Sequence, residues 1–242
     1  MKILNLGCGT KVSSSPEIIN IDWSIYLRLK KNRILRIAVP WFVKGERLER
    51  FNLLKNNVMA HDLSKGIPYD TNSIDVVYHS HVLEHFDRNV AYQFLSEVKR
   101  VLKPNGIHRI VVPDFEKACS AYMSHVSVCA KHPDEVTKHD LYIGEIIEQS
   151  VRKEAFGTSR QPAIRRFIEN LILGDARRRG ETHQWMYDRI NISNLLISNG
   201  FKRPRIQQYN TSIIPDWNEY GLDLDERGNE YKPDSVYVEV EK

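Results

Sequence analysis

The feature that most constrains this chain is a succession of short apolar runs ending on glycine or an acid, spaced through the first 115 residues. Residues 3–6 run into Gly7-Cys8-Gly9, residues 18–22 close on Asp22, and residues 57–62 close on Asp62. Residues 74–80 form a fourth run, and residues 107–112 a fifth, followed by Pro113-Asp114. Strands buried on both faces read as continuous apolar runs, so this order predicts βαβ units around a parallel sheet. Between the last two runs, Val90, Phe94, Val98, Val101 and Leu102 recur at the spacing of one helix face, and Lys103-Pro104-Asn105-Gly106 ends it. Residues 206–210 and 236–240 supply two closing strands. The alternation of Val236, Val238 and Val240 predicts that one face of the last strand is less buried.

The predicted fold class is α/β: a doubly wound, mostly parallel, seven-stranded sheet with helical insertions, all within a single domain over residues 1–242. Insertions are expected at about 24–56 and about 115–200. In the second, residues 162–173 and 192–198 carry the stronger helical patterns, and Asn199-Gly200 stops the latter. With 41% hydrophobic and 27% charged residues, the composition is that of an ordered globular chain.

The first insertion concentrates Arg28, Lys30, Lys31, Arg33, Arg36, Lys44, Arg47, Arg50 and Lys55 among apolar residues, against only Glu46 and Glu49. Such a stretch is either a solvated basic face over a core-facing stripe or an amphipathic helix on an anionic surface. Peripheral contact with an anionic membrane is therefore an expectation. Nucleic acid is not an expected partner, because the basic residues lack a recognisable binding module. Cys8, Cys119 and Cys129 are too few and too scattered for a disulfide framework. No run of eighteen apolar residues is present to span a membrane. The expected location is cytoplasmic, peripheral to the inner membrane face.

The chemistry is written at the strand ends. Glycine is needed where backbone must turn tightly and approach a ligand without a Cβ in the way. A carboxylate at the end of the next strand is placed to accept both hydroxyls of a ribose, and Asp62 to accept an adenine amino proton. Either Asp alone reads equally well as a helix cap. Three strand ends delivering Gly-x-Gly, Asp and Asp in order favour a nucleoside.

His79, His81 and His85 follow the fourth run at the mouth of the same crevice, and Asp114 ends the fifth, so His81, His85 and Asp114 are candidate catalytic residues. His81-Val82-Leu83-Glu84-His85 also matches H-x-x-E-H, a zinc pattern whose proper setting is a long helix; here it follows a strand, and no metal is expected. A structural role, with Glu84 and His85 anchoring the helix after the fourth strand, stands beside the catalytic one. His183, Trp185 and Tyr187 alternate in a segment placed to fold over an acceptor.

Asn5-Leu6-Gly7-Cys8-Gly9, Asn20-Ile21-Asp22, His61-Asp62-Leu63, Ser73-Ile74-Asp75-Val76-Val77, His81-Val82-Leu83-Glu84-His85 and Arg100-Val101-Leu102-Lys103-Pro104-Asn105-Gly106 together resemble the type-11 group of class I S-adenosylmethionine-dependent methyltransferases. The resemblance covers roughly residues 1 to 115 and implies a Rossmann-like methyltransferase fold. It implies that Gly7 and Gly9 pass under the methionine part of S-adenosylmethionine, that Asp22 holds the ribose, and that Asp62 and the amide of Leu63 hold the adenine. Backbone near Ser80 and His81 would meet the amino acid group, with Asn5, Cys8 and Trp23 completing the cofactor set. Two positions depart from the family pattern: Asn5 stands where an acid is usual, and Lys11 where a third glycine is usual.

Residues 183–188 and 234–239 resemble C-terminal blocks of methyltransferases associated with bacterial surface-polysaccharide synthesis, which implies O-methylation of a sugar or glycan-related small molecule. Competing readings are a binding protein that no longer transfers methyl groups, a metal-dependent enzyme, and a nicotinamide enzyme. The nicotinamide fingerprint wants a small residue at position 12, where Val12 stands.

Overall fold

The computed structural model describes residues 1–32, 37, 45–149 and 182–242. Each apolar run becomes a strand: β1 (Ile3–Leu6), β2 (Ile18–Asp22), β3 (Val58–Ala60), β4 (Ile74–Ser80) and β5 (Leu102–Pro113). Two more, β6 (Lys202–Gln207) and β7 (Ser235–Glu241), complete a seven-stranded sheet ordered β3-β2-β1-β4-β5-β7-β6. Strands β1 to β5 pair in parallel, and β7 runs antiparallel to both β5 and β6.

The described helices are α1 (Ile25–Lys31), α2 (Glu46–Leu53), α3 (Arg88–Val101), α4 (Phe115–Cys129), α5 (His139–Gln149) and α6 (Arg189–Ser198). Helix α3 turns Ala91, Phe94, Leu95, Val98 and Val101 onto the sheet, where they meet Leu4, Leu6, Val77, Ile110 and Val238. The helical pattern over 162–173 lies outside the described residues.

Several expectations are corrected. No helix follows Gly9: residues 7–17 cross from β1 to the neighbouring β2 as an irregular loop. That span is about the shortest a parallel crossover uses, and Ser13-Ser14-Ser15-Pro16 disfavours a helix within it. The loop is held instead by two buried amides. Asn5 Nδ2 donates to the Lys11 carbonyl at 3.0 Å and to Asn20 Oδ1 at 2.9 Å, and Asn20 Nδ2 donates to the Ser13 carbonyl at 3.0 Å.

Lys103–Gly106 is not a turn before the fifth strand but a bulge inside it. Ile74 pairs with Leu102 and Val76 with Ile107, so the extra residues of β5 loop out, with Asn105 at φ 62°. β7 is buried on both faces over Ser235–Val240, because antiparallel neighbours flank it and a polypeptide layer covers each side. The third strand is shorter than expected, and β6 begins four residues earlier.

On the second face of the sheet, Ile3, Val76, Tyr78, Val111 and Tyr237 pack on Ile214, Trp217 and Leu222 of the segment between β6 and β7. A buried ion network fastens that segment. Arg109, fully buried in β5, donates to Asp223 Oδ2 at 2.7 Å and to Glu239 Oε1 at 2.6 Å. Tyr78 and Trp217 donate to the Asp223 carboxylate, and Ser212 and the Ile213 amide to Glu239. Removing the cation strands two buried carboxylates, which costs about 3–5 kcal/mol. Arg109→Met should therefore lower the urea unfolding free energy by that order; a loss under about 1 kcal/mol would show that the network carries no such weight.

Candidate active site

Strand order reverses at β1: the chain runs outward to β2 and β3, then returns to place β4 on the other side. The crevice at the carboxyl ends of strands on either side of such a reversal is where open α/β sheets bind ligands. Gly7 and Gly9 leave β1 at φ 63° and 52°, left-handed values that favour glycine. At Gly7 a Cβ would lie 2.5 Å from Val82 Cγ2, so glycine lets the turn after β4 close on β1. At Gly9 a Cβ would meet nothing within 4 Å, and the backbone borders open space.

Asp22 ends β2 facing that turn. Its Oδ1 accepts the Trp23 amide at 2.6 Å. Burial raises its pKa, opposed by hydrogen bonds from the backbone of Trp23, Ser24 and Gly9, so the tips of β1 and β2 meet at this carboxylate. Burial pushes the neighbouring Cys8 thiol up, and the charge of Asp22 adds to it. Asp22 pairs with Ala60, and the His61 amide donates to the Asp22 carbonyl at 3.1 Å, which puts Asp62 just beyond the adjacent strand end. Its Oδ1 caps the 3-10 turn Leu63–Lys65, accepting from the Ser64 amide at 3.0 Å and the Ser64 hydroxyl at 2.7 Å. Trp23 is exposed, with the Arg28 guanidinium 4.7 Å from its ring centre. Asn5 is buried, its amide engaged in the clasp that holds the 7–17 loop.

The turn after β4 starts with His81 at φ 53°, a strained value for a residue with a side chain. It continues as a 3-10 turn, Leu83–His85, rather than the long helix of a zinc protease. Glu84 within it is 1% exposed, and neither carboxylate oxygen has a hydrogen-bond partner. Its Oε1 lies 3.5 Å from His81 Nδ1 and 3.9 Å from His85 Nε2. Burial disfavours charge on all three: Glu84 is pushed up to about 8, while His81 and His85 are pushed down to about 3 and about 4. His85 Nδ1 lies 3.2 Å from the Thr182 carbonyl, which only an N–H can satisfy, so its Nε2 lone pair faces Glu84.

The segment carrying His183, Trp185 and Tyr187 docks on this turn. Gln184 and Trp185 donate backbone N–H to the Glu84 carbonyl, and the Phe115 amide donates to the Tyr187 carbonyl. Glu84, Pro113, Phe115, His183, Trp185, Met186 and Tyr187 line a partly open cavity too tight to hold a water molecule. Glu84, His85 and His183 also bring ligand atoms within 4.8 Å of one another, a spacing a metal ion tolerates.

The candidate catalytic residues separate. His81 and His85 flank Glu84, whereas the Asp114 carboxylate caps α4 by accepting the Glu116 amide at 3.0 Å, while its neighbours Pro113 and Phe115 line the cavity. His79 is not at the crevice mouth; it is fully buried inside the sheet, its ring 5.0 Å from His108 and 5.3 Å from Phe94. Sequence reasoning gave Glu84 only an anchoring role. The available signal was an acid set between Leu83 and His85 in a motif that does not continue as a helix.

Residues 44–110, under a third of the chain, match the profile of the family described as "Methyltransferase domain". That span runs from α2 through β3, β4 and α3 into β5 and supports a methyltransferase. No curated protein matches the chain. Among solved structures, a SAM-dependent methyltransferase from Archaeoglobus fulgidus is 14% identical, with 100% of this chain and 86% of that one covered and a TM-score of 0.41. A methyltransferase from Mesorhizobium loti is 14% identical, with 100% and 90% covered and a TM-score of 0.42. Human N-acetylserotonin methyltransferase, solved with SAM, is 12% identical, with 99% and 47% covered and a TM-score of 0.41. Likenesses of this degree carry no information on substrate or residue roles. The mostly parallel seven-stranded sheet with its flanking helices is the expected doubly wound, Rossmann-like α/β fold.

The buried acid has a thermodynamic signature. Above its unfolded pKa the unfolded chain ionises Glu84 while the folded chain keeps it protonated, so stability falls as pH rises toward about 8. His81 and His85, depressed in the fold, act the opposite way, but only below their unfolded value of 6.5. Between pH 6.5 and 8, Glu84→Gln should remove a decline in urea stability that the parent chain shows. An equal pH slope for the two proteins over that window would contradict a buried, neutral Glu84.

Proposed function

We propose that this chain is an S-adenosylmethionine-dependent methyltransferase whose acceptor is a hydroxyl of a sugar or glycan-linked small molecule. The observation that carries the reading is the meeting of four strand tips at the sheet's reversal, next to a cavity that holds a buried acid. When bound, the cofactor supplies an electrophilic sulfonium methyl. Gly9 leaves its backbone cradle open while Gly7 lets the turn after β4 close beside it. Asp22 would take the ribose hydroxyls, Asp62 and the Leu63 amide would take the adenine, and the turn at Ser80 and His81 would border the amino acid end.

The protein's own work is to align the acceptor and hold its proton. Glu84 stays protonated below about 8 and can receive that proton only once it ionises, so turnover that uses it as the base rises with pH toward about 8. His85 presents a neutral Nε2 to the same carboxyl, and His81 Nε2 is fixed 2.9 Å from Ser235 Oγ. Phe115 and Trp185 supply aromatic surface suited to a sugar face.

The turnover test uses an acceptor screen of free and nucleotide-linked sugars. Glu84→Gln should lower kcat by about 10²–10⁴-fold with cofactor affinity retained. Asp22→Asn removes hydrogen bonds to a charged group and should weaken cofactor binding by about 10–100-fold. Unchanged turnover in Glu84→Gln would remove the acid from catalysis, whereas cofactor binding with no methyl transfer to any acceptor would favour a binding protein that transfers nothing.

The basic insertion is proposed to touch an anionic membrane from the cytoplasmic side. Part of its charge is engaged internally: Lys30 Nζ donates to the carbonyls of Phe51, Asn52 and Leu54, while Leu27, Phe51 and Leu54 are buried. Arg33, Arg36 and Lys44 lie outside the described residues. Among the described residues, no helix is long and apolar enough to cross a membrane. Flotation with vesicles containing anionic lipid should carry the chain upward, and Arg33→Glu with Arg36→Glu should abolish this; indifference to anionic lipid would contradict it.

A further inference from the structure

Helices α4 and α5, joined by the 3-10 segment Pro133–Lys138, meet around a histidine where a helical hairpin ordinarily places an apolar side chain. The buried residues of α4 are Ala118 and His125. The His125 ring stacks on Tyr142 at 4.1 Å and meets His139 edge to edge in nearly the same plane, with ring centres 5.3 Å apart. His125 and Cys129 are four residues apart and so share a helix face. Three donor atoms converge there. His125 Nδ1 lies 3.0 Å from His139 Nδ1 and 3.4 Å from Cys129 Sγ, and all three fall within 4.8 Å of one another.

Two-centre hydrogen bonds alone cannot satisfy this arrangement, because one ring nitrogen has a single proton or a single lone pair to offer two partners and must share it in a three-centre bond. A metal ion can satisfy the arrangement. Around tetrahedral zinc, ligand atoms stand about 3.3 Å apart for two nitrogens and about 3.6 Å apart for nitrogen and sulfur, given the usual bond lengths. The observed spacings are within a few tenths of an ångström of these, and the two imidazoles, which now point Nδ1 at Nδ1, must also rotate for both to face one ion. His125 Nε2 is buried with no hydrogen-bond partner, and Glu135 Oε2 lies 4.0 Å from it. That is the side from which a carboxylate orients a ligated imidazole.

We propose that His125 Nδ1, Cys129 Sγ and His139 Nδ1 form a site for a zinc-class transition-metal ion, with the fourth position open to water. Two imidazoles and a thiolate select zinc or cobalt over magnesium or calcium. Cys129 and His139 are partly exposed, so an ion reaches the site from solvent. Binding forms one metal–sulfur and two metal–nitrogen bonds and releases the thiol proton to water. The site pins α5 to α4 and stands apart from the Glu84 cavity, whose cluster has no sulfur.

The test is a cobalt(II) titration of the full chain, stripped with chelator and kept reduced. One equivalent should produce a thiolate-to-cobalt charge-transfer band together with tetrahedral visible bands, and zinc should bleach both. Cys129→Ser should lose the charge-transfer band and Cys119→Ser keep it, with circular dichroism confirming that each variant is folded. His139→Gln should weaken cobalt binding at least about tenfold. The proposal is overturned by visible bands without a thiolate band, which would report the Glu84, His85 and His183 cluster. A band that survives Cys129→Ser, or unchanged affinity in His139→Gln, overturns it equally.

Discussion

The structure depends on a pair of buried amides that lets two parallel strands be joined without a helix. Asn5 of β1 and Asn20 of β2 hydrogen-bond to each other and to the carbonyls of Lys11 and Ser13, so each polar group of the clasp serves the loop that a helix would otherwise replace. Because that loop stays low over the sheet, Gly7 and Gly9 reach the crevice directly and Gly9 faces open space. The departure from an acid at position 5 has a physical reason here. A carboxylate has no N–H to donate to Lys11 and Asn20, so the clasp requires an amide.

Charge is handled in opposite ways within the sheet and at its carboxyl edge. Arg109 is buried between two carboxylates, with tyrosine, tryptophan, serine and backbone donors filling their remaining valences. It fastens an irregular segment that a parallel sheet needs as cover. Glu84 is equally buried, lies nearest to two neutral imidazoles with Lys232 as the cation that acts on it, and has no hydrogen-bond partner. The first arrangement builds structure. The second leaves an acid whose proton is held by burial alone, which suits a group that exchanges protons with a bound acceptor.

Legibility tracks the periodicity of each element. The first, second and fourth strands are readable to the residue, because runs buried on both faces have no amphipathic alternative. The absence of a helix after Gly9 is not readable, since glycines after a strand announce a turn but leave the path of the chain beyond it open. The bulge in β5 is hidden because Pro104-Asn105-Gly106 is equally good chemistry for a turn and for residues looped out of a strand. At the site, the strand-end carboxylates are legible from position alone. Glu84 is not, because its importance comes from burial, which the segment 182–187 imposes from a hundred residues away. The convergence of His125, Cys129 and His139 rests in the same way on how two helices pack.

The central claim is that the crevice at the sheet's reversal binds S-adenosylmethionine. Isothermal calorimetry of the purified chain with S-adenosylmethionine, S-adenosylhomocysteine and NAD tests it most directly. The account predicts one-to-one binding of both sulfur nucleosides and no heat from NAD. Saturable binding of NAD, or no binding of either sulfur nucleoside by the folded chain, would contradict it.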